Sequence, residues 1–292
     1  MGGGRYSITD RTLRSQNLGY QTKSVNEIFE QRQMNVEMNP ANAQLRESRD
    51  SEEHPNSLAI IIGLDVTGSM GHIPHLLIKD GLPNMMNRIF QGGIKDPQIM
   101  FMGVGDHHCD GTPLQVSQFE SSDELLDKWL TQTYLEGGGG GNGGESYSLV
   151  WYFAAHRTDI DCLNKRNQKG FIFTIGDDAV HHTISNYSLQ RIMGTGEYSD
   201  CTVPDLLNEV SKKYHVYHLH LIETTTGNSQ YVQNNWKSLM GENVIFVRDY
   251  KEIPNIISNI VTSTTVSSET VHKYVTEQPQ KSTSEKEEEM FL

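Results

Sequence analysis

The sequence predicts an α/β fold: a doubly wound, mostly parallel sheet flanked by helices on both faces. Three observations predict it. Unbroken apolar runs such as "LAIIIGL" (58–64) and "GFIFTI" (170–175) are β-rich and lack polar alternation, as expected of strands buried on both faces. Segments with helical spacing separate these runs. Two of the runs stop abruptly at an aspartate, Asp65 and Asp177, and in such sheets ligands bind outside the carboxyl ends of the strands.

Residues 1–56 form a polar extension rich in Asn, Gln, Arg and Glu. Within it, "VNEIFEQRQMNVEMN" (25–39) has the pattern of a short amphipathic helix, and "RESRDSEEHPNS" (46–57) leads into a turn at Pro55-Asn56. The composition fits either a solvated tail or a strap over the domain or a partner. The domain itself spans 57–263. After the first strand, Ile73, Leu76, Leu77, Met85, Met86, Ile89 and Phe90 fall at helical spacing; Pro74 suits a first turn and Pro83 is expected to kink or break the helix. "QIMFMGVGD" (98–106) is a second strand. "SSDELLDKWL" (121–130) is a helix with Ser/Asp capping signals. "ESYSLVWYFAAHR" (145–157) is a helix that follows a glycine tract. A third apolar strand (170–177) precedes a helix at 203–214, a strand at 215–222, a helix at 230–240, a strand at 243–249 and a closing helix at 252–261. Trp129, Trp151 and Trp236 fall on helices and read as core. His215, His218 and His220 alternate along a strand and read as positions near a sheet face. From 264 to 292 the chain becomes Ser/Thr-rich and then acidic, the composition of a disordered tail.

The formal charge of −13 argues against non-specific binding of nucleic acid or of anionic membrane, since both require a basic face. It favours cations as ligands. The 3 cysteines, Cys109, Cys162 and Cys201, are odd in number and widely spaced, so no disulfide framework is expected and a reducing, cytoplasmic location is the simpler reading. No apolar signal region stands at the N-terminus, and the longest greasy run is too short to span a bilayer.

The loop "DVTGSM" (65–70) carries the chemistry. Asp65 offers a carboxylate, and Thr67 and Ser69 offer neutral hydroxyl oxygens at i+2 and i+4 of a tight turn. With a second carboxylate from Asp177 the donor set is all oxygen, which suits a hard cation: Mg²⁺ first, then Mn²⁺ or Ca²⁺. An ordinary strand-to-helix turn, with Thr67 or Ser69 as N-cap, is the plainer alternative.

An aspartate followed by two hydroxyls at this spacing, at the end of the first core strand, resembles the signature of the von Willebrand factor A domain, whose metal site is called the metal-ion-dependent adhesion site. The resemblance covers about residues 57–263. It implies that Asp65, Thr67 and Ser69 hold the cation directly or through water. It also implies an aspartate from a later strand, matched by Asp177 with Asp178 beside it, and a threonine from an intervening loop. Here that loop reads "EGGGGGNGGESYSL" (136–149) and has no threonine; Asn142 is the substitute, with Glu145 and Ser146 as other choices. The loop resembles those of divergent intracellular bacterial, phage or alpha-kinase-associated members, and "GVGDHHCDG" (103–111) resembles their segment after the next strand, which places Asp106 and His107 at the rim. The implied function is an adaptor in which the cation captures an Asp or Glu of a protein partner, such as an AAA+ ATPase, a kinase or another complex member.

Two other readings stand beside it. His107, His108, Asp110 and His181 could serve a metal-dependent hydrolase, although adjacent residues in one loop rarely all reach one ion. The chain could also be a structural component of a larger assembly with a degenerate metal site. The glycine tract lacks the G-K-[ST] of a phosphate loop, and "VTGSMG" lacks the first glycine of a nucleophile elbow.

Overall fold

Strand β1 (Leu58–Asp65) is buried at every position and runs through the middle of the molecule, as an apolar run without alternation should. The computed structural model describes residues 4–70, 73–137 and 143–276; within these it does not describe the side chains of Ser69, Pro74, Leu77, Ile78 or residues 266–276. Around β1 are β2 (Pro97–Val104), β3 (Leu114–Val116), β4 (Gly170–Gly176), β5 (Tyr214–Leu221) and β6 (Val244–Val247), in the spatial order β6-β5-β4-β1-β2-β3. Every neighbouring pair is parallel except β2–β3. In register, Asp65 stands opposite Val104 and Leu64 opposite Ile175, so β1, β2 and β4 end together at one edge.

The helices of eight or more residues are α1 (Ile8–Leu18), α2 (Leu82–Gln91), α3 (Asp123–Thr131), α4 (Tyr147–Arg157), α5 (Asn186–Met193), α6 (Val203–Val210), α7 (Gln230–Met240) and α8 (Ile253–Thr276). Helix α4 packs on β1, β2 and β4, with α6 against it, while α2 packs against α8. Trp151 and Trp236 meet edge to face between α4 and α7. Both rings are fully buried, and Trp129 is also buried.

The helix predicted after β1 is broken, as Pro83 requires. Residues Ile73–Leu76 are α-helical, Leu77–Gly81 widen into a π turn, and α2 restarts with Pro83 in its first turn, where a missing N–H costs nothing.

Residues 4–56 are packed on the domain. Tyr6, Tyr20, Ile28, Phe29, Met38 and Ala43 are buried, and a short strand, Arg46–Ser48, pairs in parallel with Thr158–Ile160. Helix α1 is capped by Ser7, whose hydroxyl accepts from Asp10 N–H, and it docks on α3. The helix read over 25–39 forms only as Val25–Ile28 and a 3₁₀ turn at Val36–Met38. Asn35 bonds the backbone N–H of Glu37 and so competes with helix continuation.

At the other end, α8 continues to Thr276, so residues 264–276 extend a helix rather than begin a tail; a helix already anchored by packing adds one hydrogen bond per residue fixed. Residues 277–292 lie outside the described residues. Among the described residues no helix is long and apolar enough to cross a membrane.

Candidate metal centre

Three aspartates follow three adjacent strands: Asp65 ends β1, Asp106 follows β2 and Asp177 follows β4. All are fully buried. Beyond Asp65 the chain curls into a 3₁₀ turn at Gly68–Met70. Thr67 donates to Asp65 Oδ1 twice, from its backbone N–H (2.9 Å) and its hydroxyl (2.6 Å). Tyr147 Oη, at the start of α4, donates to Asp65 Oδ2 (2.8 Å) and accepts from Asp178 N–H (3.4 Å). A carboxylate has about four acceptor sites, so these three donors orient Asp65 and still leave room for a cation. Burial pushes Asp65 up to about 7; the Asp177 charge adds to this, and the bonds from Thr67 and Tyr147 oppose it.

Glu145 is strongly perturbed. Its backbone is tied to the loop after β4, through N–H to Ala179 O (2.8 Å) and through its carbonyl to His181 N–H (3.4 Å). The residue is 5% exposed, and its Oε2 is buried without a hydrogen-bond partner among the described residues. Burial, then the charges of Asp65, Asp106, Asp110 and Asp178, push it up to about 10. Asp178 is raised too, by burial and by Asp177 and Asp106. Several carboxylates crowded into a dry edge repel one another, and a divalent cation relieves that repulsion. The residues present therefore fit a hard cation, on donor chemistry and on the orphaned oxygen of Glu145.

The rim continues on the β2 side. The Asp106 carboxylate accepts from His108 N–H (2.9 Å), Cys109 Sγ–H (2.9 Å) and His181 Nε2 (2.8 Å). Its own N–H donates to Asp110 Oδ2 (2.7 Å). Ser146 Oγ accepts from His107 N–H (2.8 Å) and bonds His107 Nδ1 (2.7 Å), while Arg191 donates to the His107 carbonyl.

Of the ligands predicted from sequence, Asp65, Thr67 and Asp177 lie at this edge. Ser69 sits in the 3₁₀ turn with its side chain outside the description, and Asn142 lies outside the described residues. The rim residues Asp106, His107, Glu145, Ser146 and Asp178 are at the same edge, as are His108, Asp110 and His181. Tyr147 was read only as part of an apolar helix; nothing in its spacing marks a hydroxyl aimed at Asp65. Trp236, read as core, also donates from Nε1 to the Asp178 carbonyl (2.8 Å).

Two expectations follow from this geometry. A Cβ on Gly176 would fall 1.9 Å from Tyr147 Oη. Gly176→Ala must therefore displace a fully buried ring together with its bond to Asp65, and the urea midpoint should show a loss of about 1–3 kcal/mol. The second concerns pH. The folded-state pKa of Glu145 is raised, so the native state keeps a proton that the unfolded chain releases above about pH 4.3. Stability from this group is complete below that value and is lost as pH rises toward about 10. In chelator the chain should lose stability between about pH 6 and pH 9, by at most about 1.4 kcal/mol per pH unit for one group. Denaturation across that range should show a flatter slope for Glu145→Gln, and an unchanged slope would remove Glu145 from the cluster.

No known family's sequence profile matches the chain. No curated protein matches it in sequence. Among solved structures, the chain is similar to the pilus adhesin SpaC from Lactobacillus rhamnosus GG in its open conformation, with 9% identity and a TM-score of 0.47 over 75% of this chain and 31% of that one. Another crystal form of SpaC gives 10% identity and a TM-score of 0.45 over 74% and 32%. A von Willebrand factor type A structure from Catenulispora acidiphila gives 10% identity and a TM-score of 0.39 over 75% and 47%. The aligned part is less than half of each of those chains. The chain is an α/β protein whose mostly parallel, six-stranded sheet is flanked by helices.

Proposed function

We propose that this chain is a divalent-cation-dependent protein-binding module. Asp65, Thr67 and Ser69 hold Mg²⁺, or Mn²⁺ or Ca²⁺ in its place, with Asp177 and Asn142 completing the set. An Asp or Glu of a protein partner takes the remaining position. One observation carries the reading: Asp65 and Asp177 are buried together at the edge where parallel strands end, beside a buried Glu145 whose Oε2 has no hydrogen-bond partner among the described residues. Oxygen donors select a hard cation. The nearby Cys109 is no thiolate ligand, because burial and the hydrogen bond to Asp106 push its thiol up to about 12. Cys109, Cys162 and Cys201 are free thiols, which fits a reducing, cytoplasmic setting. The partner is an AAA+ ATPase, a kinase or another member of a complex.

Capture from a source lysate tests the proposal. The chain in Mg²⁺ should retain a specific protein that EDTA releases and that Asp65→Asn fails to bind. Equal capture in all three conditions would contradict it.

A further inference from the structure

We propose that His107, His108 and His181 form a second metal site, for a borderline divalent cation of the zinc class, with one coordination position left to water. The ligating atoms of the three side chains lie within 4.8 Å of one another. They come from two loops, one after β2 and one after β4. The ring centroids are 4.0 Å apart for His107–His108, 5.0 Å for His107–His181 and 4.6 Å for His108–His181; both contacts of His181 are edge-on.

His107 and His181 are each oriented by a partner on one nitrogen, which leaves the other for a metal. His181 uses Nε2 to reach Asp106 Oδ1 (2.8 Å). A carboxylate only accepts, so Nε2 carries the proton and Nδ1 keeps its lone pair. This carboxylate–imidazole arrangement is how proteins fix the tautomer of a metal-binding histidine. Gly144 packs beside that nitrogen, where a Cβ would come 3.0 Å from His181 Nδ1. His107 uses Nδ1 to reach Ser146 Oγ (2.7 Å), which leaves Nε2. His107 is only 3% exposed. His108 is exposed and closes the trio from the solvent side.

Neutral imidazoles without a thiolate suit Zn²⁺, Co²⁺, Ni²⁺ or Cu²⁺ and poorly suit Mg²⁺. Three histidines with an open fourth position is a familiar arrangement for catalytic zinc. Asp110, grouped with these histidines on sequence, instead accepts Asp106 N–H within its own loop. Asp106 links the trio to the oxygen-lined edge: it holds His181 and its charge also raises Glu145.

Co²⁺ alone is the probe. The full chain, stripped with chelator, should bind one Co²⁺ and develop the intense visible absorbance of a four-coordinate ion. His108→Ala and His181→Ala should each weaken binding by at least about tenfold, and Asp106→Asn by about 10–100-fold through its hold on His181. Asp65→Asn and excess Mg²⁺ should leave it unchanged. Because His108 is exposed, its variant is expected to fold, with circular dichroism as the check. Binding that survives both His108→Ala and His181→Ala, that is absent from the wild type, or that disappears with Asp65→Asn overturns the proposal.

Discussion

Asp65→Asn is expected to abolish the stabilisation of this chain by Mg²⁺ while leaving the chelated protein at least as stable as the wild type. The two effects separate because Asp65 has two roles. Its structural role is to accept from Thr67 N–H, Thr67 Oγ1 and Tyr147 Oη. An asparagine carbonyl can still take both Thr67 donors, and the tyrosine hydroxyl can rotate to accept from the new amide. Its electrostatic role is to bring negative charge beside Asp177 and Glu145, and that charge is what the cation neutralises. A cation at a hundred times its Kd stabilises the native state by about 2.7 kcal/mol. For a chain of this size, each kcal/mol moves Tm by about 2–4 °C. Thermal melts with and without Mg²⁺ should show that shift in the wild type and none in Asp65→Asn. A shift that persists in the variant would place the cation elsewhere.

Asp127→Ala is expected to be among the most destabilising single changes outside the edge. Arg11 of α1 is 1% exposed and pairs with Asp127 of α3, which is 6% exposed; Tyr20 Oη donates to the other carboxylate oxygen (2.7 Å). Removing Asp127 takes from a buried guanidinium the carboxylate it pairs with, at a cost of about 3–5 kcal/mol. Replacing both partners by apolar residues, Arg11→Met with Asp127→Leu, removes the stranded charge and should restore most of the loss. Urea unfolding of the two single variants and the double variant measures this directly. A single-variant loss under about 1 kcal/mol would show that α1 is not anchored through this pair.

The contrast between these two regions shows what the sequence makes legible. Strands β1, β2, β4, β5 and β6 announce themselves because a strand covered on both faces must be apolar throughout, and the parallel sheet follows from the helices between them. Strand β3 does not: it has three residues, and buried Gln115, bonded to the Tyr134 carbonyl (2.8 Å), interrupts its apolar character. Helix α5 was not read at all; it opens on Ser185 as N-cap but is only eight residues long. The docking of α1 was hidden for a different reason. Its sequence, "ITDRTLRSQNL", has the look of a solvated helix, and its buried anchor is an arginine whose partner lies 116 residues away.

At the edge, the residue types of "DVTGSM" and the aspartate after β4 were visible as hard-cation donors, because their chemistry is local. The histidines His107, His108 and His181 were legible as a group with Asp110, though not their geometry, and Tyr147 was not legible as part of the edge. Tyr147 acts through a hydroxyl at the end of an otherwise apolar helix face, and His181 meets His107 and His108 only because β1 lies between β2 and β4 in the sheet. Spacing along a chain carries no record of such cross-strand neighbours.

The central claim is that a hard cation sits among oxygens at the carboxyl end of β1. A crystal of the full chain grown with Mn²⁺ tests it most directly, through the anomalous signal of the metal. The expected peak lies within coordination or water-bridged distance of Asp65, Thr67 and Asp177, and it vanishes in Asp65→Asn. An anomalous map with no peak there, or with its only peak at the three histidines, would contradict the account.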